Sequence, residues 1–138
     1  MKLQFYSLKP STQLIPLYPI PVPAGYPKAV EQSPEWINLT DYLRGSGGHT
    51  SLVRVRGDSM TDCNIEDGDL LVVEQTQFAR AGDVVVAEIN GEFTVKRLKQ
   101  HSLGLYLVPA NDAYPIRRVT REDHFTIWAR VKHVIHSF

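Results

Sequence analysis

From residue 50 onward apolar and polar positions change place with the rhythm of strands. In residues 51–56, Leu52, Arg54 and Arg56 stand against Val53 and Val55, the period-two pattern of a half-buried strand. Residues 70–73 form a short apolar run. Residues 83–89 form another, rich in valine, as expected of a strand covered on both faces. Asn90-Gly91 follows directly, the strongest two-residue hairpin signal, and makes residues 92–98 the returning strand. Residues 103–109 and 124–135 supply at least two more. Strands this closely spaced, with turn residues between them, predict a mostly β fold: a compact antiparallel sheet or barrel-like domain over residues 49–138. No internal repeat is visible.

The chain before residue 50 has another character. Residues 1 to about 35 carry seven of the nine prolines and show no helical or strand period, so they predict an extended, polyproline-like N-terminal arm. Yet Leu14, Ile15, Leu17, Tyr18, Ile20 and Val22 are too apolar for a merely solvated tail, and such an arm is expected to lie on a surface. Residues 35–44 predict a short helix or turn. Trp36 or Ile37, Leu39 and Leu43 fall near helical spacing, Ser33-Pro34 suits a start, and Gly45-Ser46-Gly47-Gly48 a stop.

Composition narrows the classes. With 15 Lys+Arg and 15 Asp+Glu the 138-residue chain has zero formal net charge. A surface that grips phosphates needs a basic excess, so direct sequence-specific DNA binding is not expected. Cys63 is the single cysteine, which rules out an intramolecular disulfide and fits a reducing, cytoplasmic setting. No stretch reaches the roughly 18 to 20 apolar residues of a membrane helix. Lys2, Lys9 and Val22-Pro23-Ala24 loosely imitate a signal peptide, but Pro10, Pro16, Pro19, Pro21 and Pro23 break up its apolar segment.

The chemistry-bearing candidates are few. Arg56-Gly57-Asp58-Ser59-Met60 places a serine in a tight bend after a strand, where adjacent N–H groups can face an oxyanion. Serine also favours turns for its own local hydrogen bonds, so the bend alone does not decide. The five histidines show no HExxH spacing, and no metal or cofactor site is read. Cys63 has Asp62, Glu66 and Asp67 as neighbours, which would raise its thiol pKa, and it is read as a bystander. Lys96 lies inside Phe93-Thr94-Val95-Lys96-Arg97-Leu98 and faces either solvent or an apolar wall. Buried, its ammonium form would be disfavoured, moving its pKa from about 10.4 toward the roughly 7 to 8 that base catalysis wants. A neutral lysine there could take the proton of Ser59, the Ser–Lys variant of the nucleophile–base pair.

Four ordered blocks then make a resemblance. Gly57-Asp58-Ser59-Met60, Ile65-Glu66-Asp67-Gly68-Asp69-Leu70-Leu71-Val72-Val73, Gly82-Asp83-Val84-Val85-Val86-Ala87 and Gly91-Glu92-Phe93-Thr94-Val95-Lys96-Arg97-Leu98 closely resemble the LexA/UmuD family of self-cleaving Ser–Lys peptidases. So do the 37-residue separation of Ser59 and Lys96 and the run Pro109-Ala110-Asn111 followed by Tyr114. The resemblance covers roughly residues 22 to 136. It implies Ser59 as nucleophile, Lys96 as general base, backbone N–H groups of Asp58 and Ser59 as oxyanion hole, and Ala24-Gly25 as the self-cleavage site. Asp67-Gly68-Asp69 reads as a structural turn. Lys28, where a smaller residue is common, and the proline density before Ala24 depart from the pattern.

Only 24 residues precede the expected cut, without a helical period, so the chain resembles the UmuD-type members more than repressors with a helix-turn-helix domain. The organisation expected is a removable arm over 1–24, a linker with a short helix or turn over 25–48, and a peptidase and dimerisation domain over 49–138. The resemblance implies a homodimer, stimulation by the RecA filament on single-stranded DNA in the SOS response, and a trimmed product that joins a UmuC-type Y-family DNA polymerase subunit for translesion synthesis. A non-cleaving polymerase- or RecA-binding module of the same fold is the alternative. A truncated LexA-type repressor and a signal-peptidase relative rank below it, the last because no membrane anchor is visible.

Overall fold

The computed structural model describes residues 1–18 and 33–138. They form two units, Lys9–Gly45 and a larger one combining Met1–Leu8 with Ser46–Phe138. Along the chain run β1 (Lys2–Ser7), β2 (Ile15–Leu17), β3 (Glu35–Ile37), α1 (Leu39–Arg44), β4 (Thr50–Arg56), a 3-10 turn (Thr61–Cys63), β5 (Leu70–Gln75), β6 (Val84–Ile89), β7 (Glu92–His101), β8 (Gly104–Val108), β9 (Arg117–Val119) and β10 (Phe125–Ile135). The fold is mostly β, as expected.

The larger unit is one curled antiparallel sheet in the order β1-β4-β5-β10-β6-β7-β8-β9. Its curl has a local cause in β10. That strand pairs with both β5 and β6, and its register slips between Ile127 and Ala129 and again between Val131 and His133. Each slip inserts an extra residue into β10 and steepens the twist. The β6–β7 hairpin turns on Asn90 (φ 51°) and Gly91 (φ 84°), the two left-handed residues that a tight two-residue connection requires. The core lies in two clusters. Val53, Val55, Met60, Ile65, Leu71, Val73, Val86, Val95 and Ala129 make one, and Val85, Ala87, Leu98 and Leu107 the other. Val85/Val86 and Val95/Leu98 fall on opposite faces of their strands, so the β6–β7 hairpin feeds both clusters.

The N-terminal residues correct the reading of residues 1 to 35 as lacking strands. Lys2–Ser7 pairs with β4 over its whole length, from Lys2 opposite Arg56 to Ser7 opposite Ser51. Phe5 packs edge-to-face on Phe93 (5.1 Å between ring centroids) and Trp128 (4.9 Å), and Met1 and Leu3 pack against the first core cluster. The alternation Leu3/Phe5 is too brief to register as a period without its distant partner.

In the smaller unit, Ile15–Leu17 pairs with Glu35–Ile37. The helix is shorter than expected: residues 35–37 are strand, and α1 starts after Asn38, not at Ser33-Pro34. The Asn38 side chain accepts from the Asp41 N–H at 3.1 Å, and Gly45 (φ 64°) closes the helix. An asparagine cap satisfies an end donor that a proline start leaves to solvent.

Candidate active site

Strand β4 ends at Arg56 and the chain turns sharply through Gly57, whose φ of 124° disfavours any side chain. A Cβ there would also stand 3.3 Å from the Met1 Cα. The turn delivers Ser59 to a buried position, 2% exposed, with Met60 anchored in the core behind it. Two loops brace the turn. On one side the Gly57 N–H donates to Asp67 Oδ1 at 2.8 Å, and the Gly68 N–H donates to the Val55 carbonyl at 2.8 Å. Asp67-Gly68-Asp69 is thus a structural turn that also holds the serine loop. On the other side the Ala110 N–H donates to the Ser59 carbonyl at 2.9 Å, and Asn111 Nδ2 to the Asp58 carbonyl at 2.8 Å. The Tyr114 hydroxyl donates to Asp58 Oδ1.

Lys96 comes from β7, opposite Val85 of β6. Strand alternation puts Thr94, Lys96 and Leu98 on one face, with Val85, Ala87 and Leu107. Lys96 Nζ lies 2.9 Å from Ser59 Oγ, 2.8 Å from Thr94 Oγ1 and 3.0 Å from the Val95 carbonyl oxygen. Of the two orientations open to sequence, the lysine takes the partly buried one. Desolvation pulls its pKa down from 10.5 to about 8. A cavity of about 200 Å³ opens beside it, lined by Met1, Ile89, Phe93, Thr94, Leu107 and Arg117 among others.

The three contacts of Nζ match either protonation state. An ammonium donates to Ser59 Oγ, Thr94 Oγ1 and the Val95 carbonyl. A neutral amine donates to the last two and turns its lone pair to the serine hydroxyl. The proton can therefore pass between Oγ and Nζ without any side chain moving, the arrangement a nucleophile–base pair needs.

The structure thus brings Ser59 and Lys96 together. The expected cleavage site, Ala24 and Gly25, lies outside the described residues. Thr94 was missed, although its place two residues before Lys96 on a strand puts it on the same face. Asn111 and Tyr114 stood in the resemblance without a role, because what they touch is more than fifty residues away. Cys63 has a raised pKa as expected, but burial is the main cause and Asp62 a minor one.

The sequence pattern of the Peptidase S24-like family matches residues 16–132, most of the chain. The chain belongs to this family. Among its S24-like relatives is a LexA repressor of Delftia acidovorans, 50% identical over 76 residues, which are 55% of this chain and 34% of the repressor. Protein SamA of Salmonella typhimurium is 40% identical over 108 residues, 78% of this chain and 76% of SamA. Protein ImpA of Escherichia coli is 36% identical over 122 residues, 88% of this chain and 83% of ImpA. The match spans about a third of the Delftia repressor and about half, 49%, of a second LexA repressor from Ruegeria, but most of SamA and ImpA. The kinship read from the four sequence blocks is the kinship found.

Proposed function

We propose that this chain is a UmuD-like peptidase of the SOS response that cuts itself once, between Ala24 and Gly25. The reading rests above all on Lys96 Nζ, which has a lowered pKa and lies 2.9 Å from the oxygen of a buried serine. Neutral Lys96 takes the proton of Ser59 as Oγ bonds to the Ala24 carbonyl carbon. Backbone N–H groups of Asp58 and Ser59 receive the oxyanion. Lys96 then returns the proton to the Gly25 nitrogen as the peptide C–N bond breaks, and water releases the Ala24 acyl group from the serine. A small residue followed by glycine lets an extended chain come close to the nucleophile. The processed chain, as a homodimer, serves as a subunit of an error-prone UmuC-type Y-family polymerase. The RecA filament on single-stranded DNA stimulates the cut, and the setting is cytoplasmic. The similarity to SamA and ImpA over most of their length supports this reading above that of a repressor.

Intact mass of the purified protein at pH about 7.5 and about 10, beside S59A, tests it, since deprotonating the lysine replaces part of the stimulus. The expected result is loss of residues 1–24 from the wild type only, faster at the higher pH. A chain that stays whole even with RecA, single-stranded DNA and ATP overturns the peptidase reading and leaves the polymerase-binding module.

A further inference from the structure

The loop Pro109-Ala110-Asn111 with Tyr114 holds the peptide groups that flank the serine, and nothing in the Ser–Lys pairing itself explains why. Asn111 Nδ2 donates to the Asp58 carbonyl at 2.8 Å. That carbonyl belongs to the same planar peptide as the Ser59 N–H, and in a trans peptide the two point in opposite directions. Fixing the oxygen therefore fixes the direction of the N–H. The next peptide is fixed as well, because the Ala110 N–H takes the Ser59 carbonyl at 2.9 Å. Among the described residues neither the Asp58 nor the Ser59 N–H finds an acceptor. One hazard stands beside them. Asp58 carries a carboxylate next to the point where negative charge would develop, and like charges there oppose the reaction. The Tyr114 hydroxyl holds that carboxylate by a hydrogen bond, which also raises the tyrosine's own pKa.

We infer that Asn111 and Tyr114 are positioning residues for the oxyanion hole: Asn111 aims the Ser59 N–H through the Asp58 carbonyl, and Tyr114 restrains the Asp58 carboxylate. The inference deepens the Ser59–Lys96 reading and rests on it for its catalytic meaning. Asn111 touches neither the lysine nor the nucleophilic oxygen. Its loss lowers the height of the pH–rate curve and leaves the midpoint, which belongs to Lys96, in place.

The test uses the full chain with N111D, which keeps the size, removes the donor and is measured in high salt so that its added charge is screened, and Y114F. First-order rates of self-cleavage are followed by intact mass across pH, and the Ser59 amide is followed by nitrogen-15 relaxation dispersion. For N111D the rate is expected to fall roughly 10- to 100-fold with an unchanged midpoint, short of or reaching the loss seen when an oxyanion donor is deleted outright. The Ser59 amide should at the same time gain exchange broadening absent from the wild type. For Y114F the fall is about 3- to 10-fold, and added salt restores part of it, since screening weakens the freed carboxylate. An N111D rate within about twofold of wild type overturns the inference, as does a midpoint that moves with the rate, which would place Asn111's effect on the lysine. If the wild type itself never cuts, the peptidase reading fails separately. The amide measurement still decides the clamp: an unperturbed Ser59 resonance in N111D refutes it.

Discussion

At the scale of the residue, the site depends on how a lysine is kept both dry and hydrogen-bonded. Burial alone lowers its pKa, while Thr94 Oγ1 and the Val95 carbonyl fix where its protons point. Those acceptors also stabilise the ammonium, so they oppose part of the shift that burial produces. Replacing Thr94 by valine keeps the shape and removes one acceptor. T94V should therefore move the midpoint of the pH–rate curve to lower pH and reduce the plateau roughly tenfold, because the amine loses an orienting bond. Intact mass over a pH series reads both numbers, and a midpoint that rises instead would contradict this account. The sequence showed that Lys96 shares a strand with apolar neighbours. It could not show which face was covered, because the turn bearing Ser59 follows β4, which is not a neighbour of β7 in the sheet, and reaches the lysine only through the curl. Chemistry allowed the serine and lysine as a pair, and the resemblance, their separation included, made that pairing specific.

Among the elements, the hairpin β6–β7 was readable in advance and β1 was not. Asn90-Gly91 announces its turn locally, and both residues have the positive φ that the dipeptide implies. The partner of β1 lies far off: Lys2–Ser7 pairs with residues 51–56. A six-residue strand whose alternation is Leu3 and Phe5 has little to declare by itself. Its hold on the sheet comes from backbone pairing and from Phe5, which is 42% exposed yet meets both Phe93 and Trp128. F5A, made in an S59A chain so that the arm stays attached, should cost about 1 to 2 kcal/mol, less than a fully buried phenylalanine. Urea unfolding measures it, and no loss of stability would mean that β1 adds nothing to the fold. The two register slips of β10 were equally invisible, since no residue type marks a bulge in a strand that reads Phe-Thr-Ile-Trp-Ala-Arg-Val.

For the molecule as a whole, holding Lys96 in place carries a stability cost with a definite pH window. Folded, the lysine titrates at about 8; unfolded, near 10.5. Between those values the unfolded chain binds the extra proton, so stability rises with pH there; below about 8 both states bind it and the full cost remains. In an S59A background, K96M should gain its largest advantage at neutral pH and lose that advantage as pH climbs from about 8 to 10.5, read by urea denaturation at each pH. A gap that does not change with pH would mean the lysine is effectively solvated. The architecture has one more consequence, at the rims of the sheet. Each rim of the intact chain is guarded: β9 is three residues long and carries Arg117 and Arg118, and β1 turns Lys2, Gln4 and Tyr6 outward. Behind β1 lies β4, seven residues long, with Val53 and Val55 wholly buried. A molecule that parts with its first 24 residues, if β1 leaves with them, exposes a long row of unsatisfied peptide groups beside apolar side chains. Such a molecule is adhesive. It must find another strand promptly or precipitate, so under the proposed cut the first seven residues would act as a cover over β4.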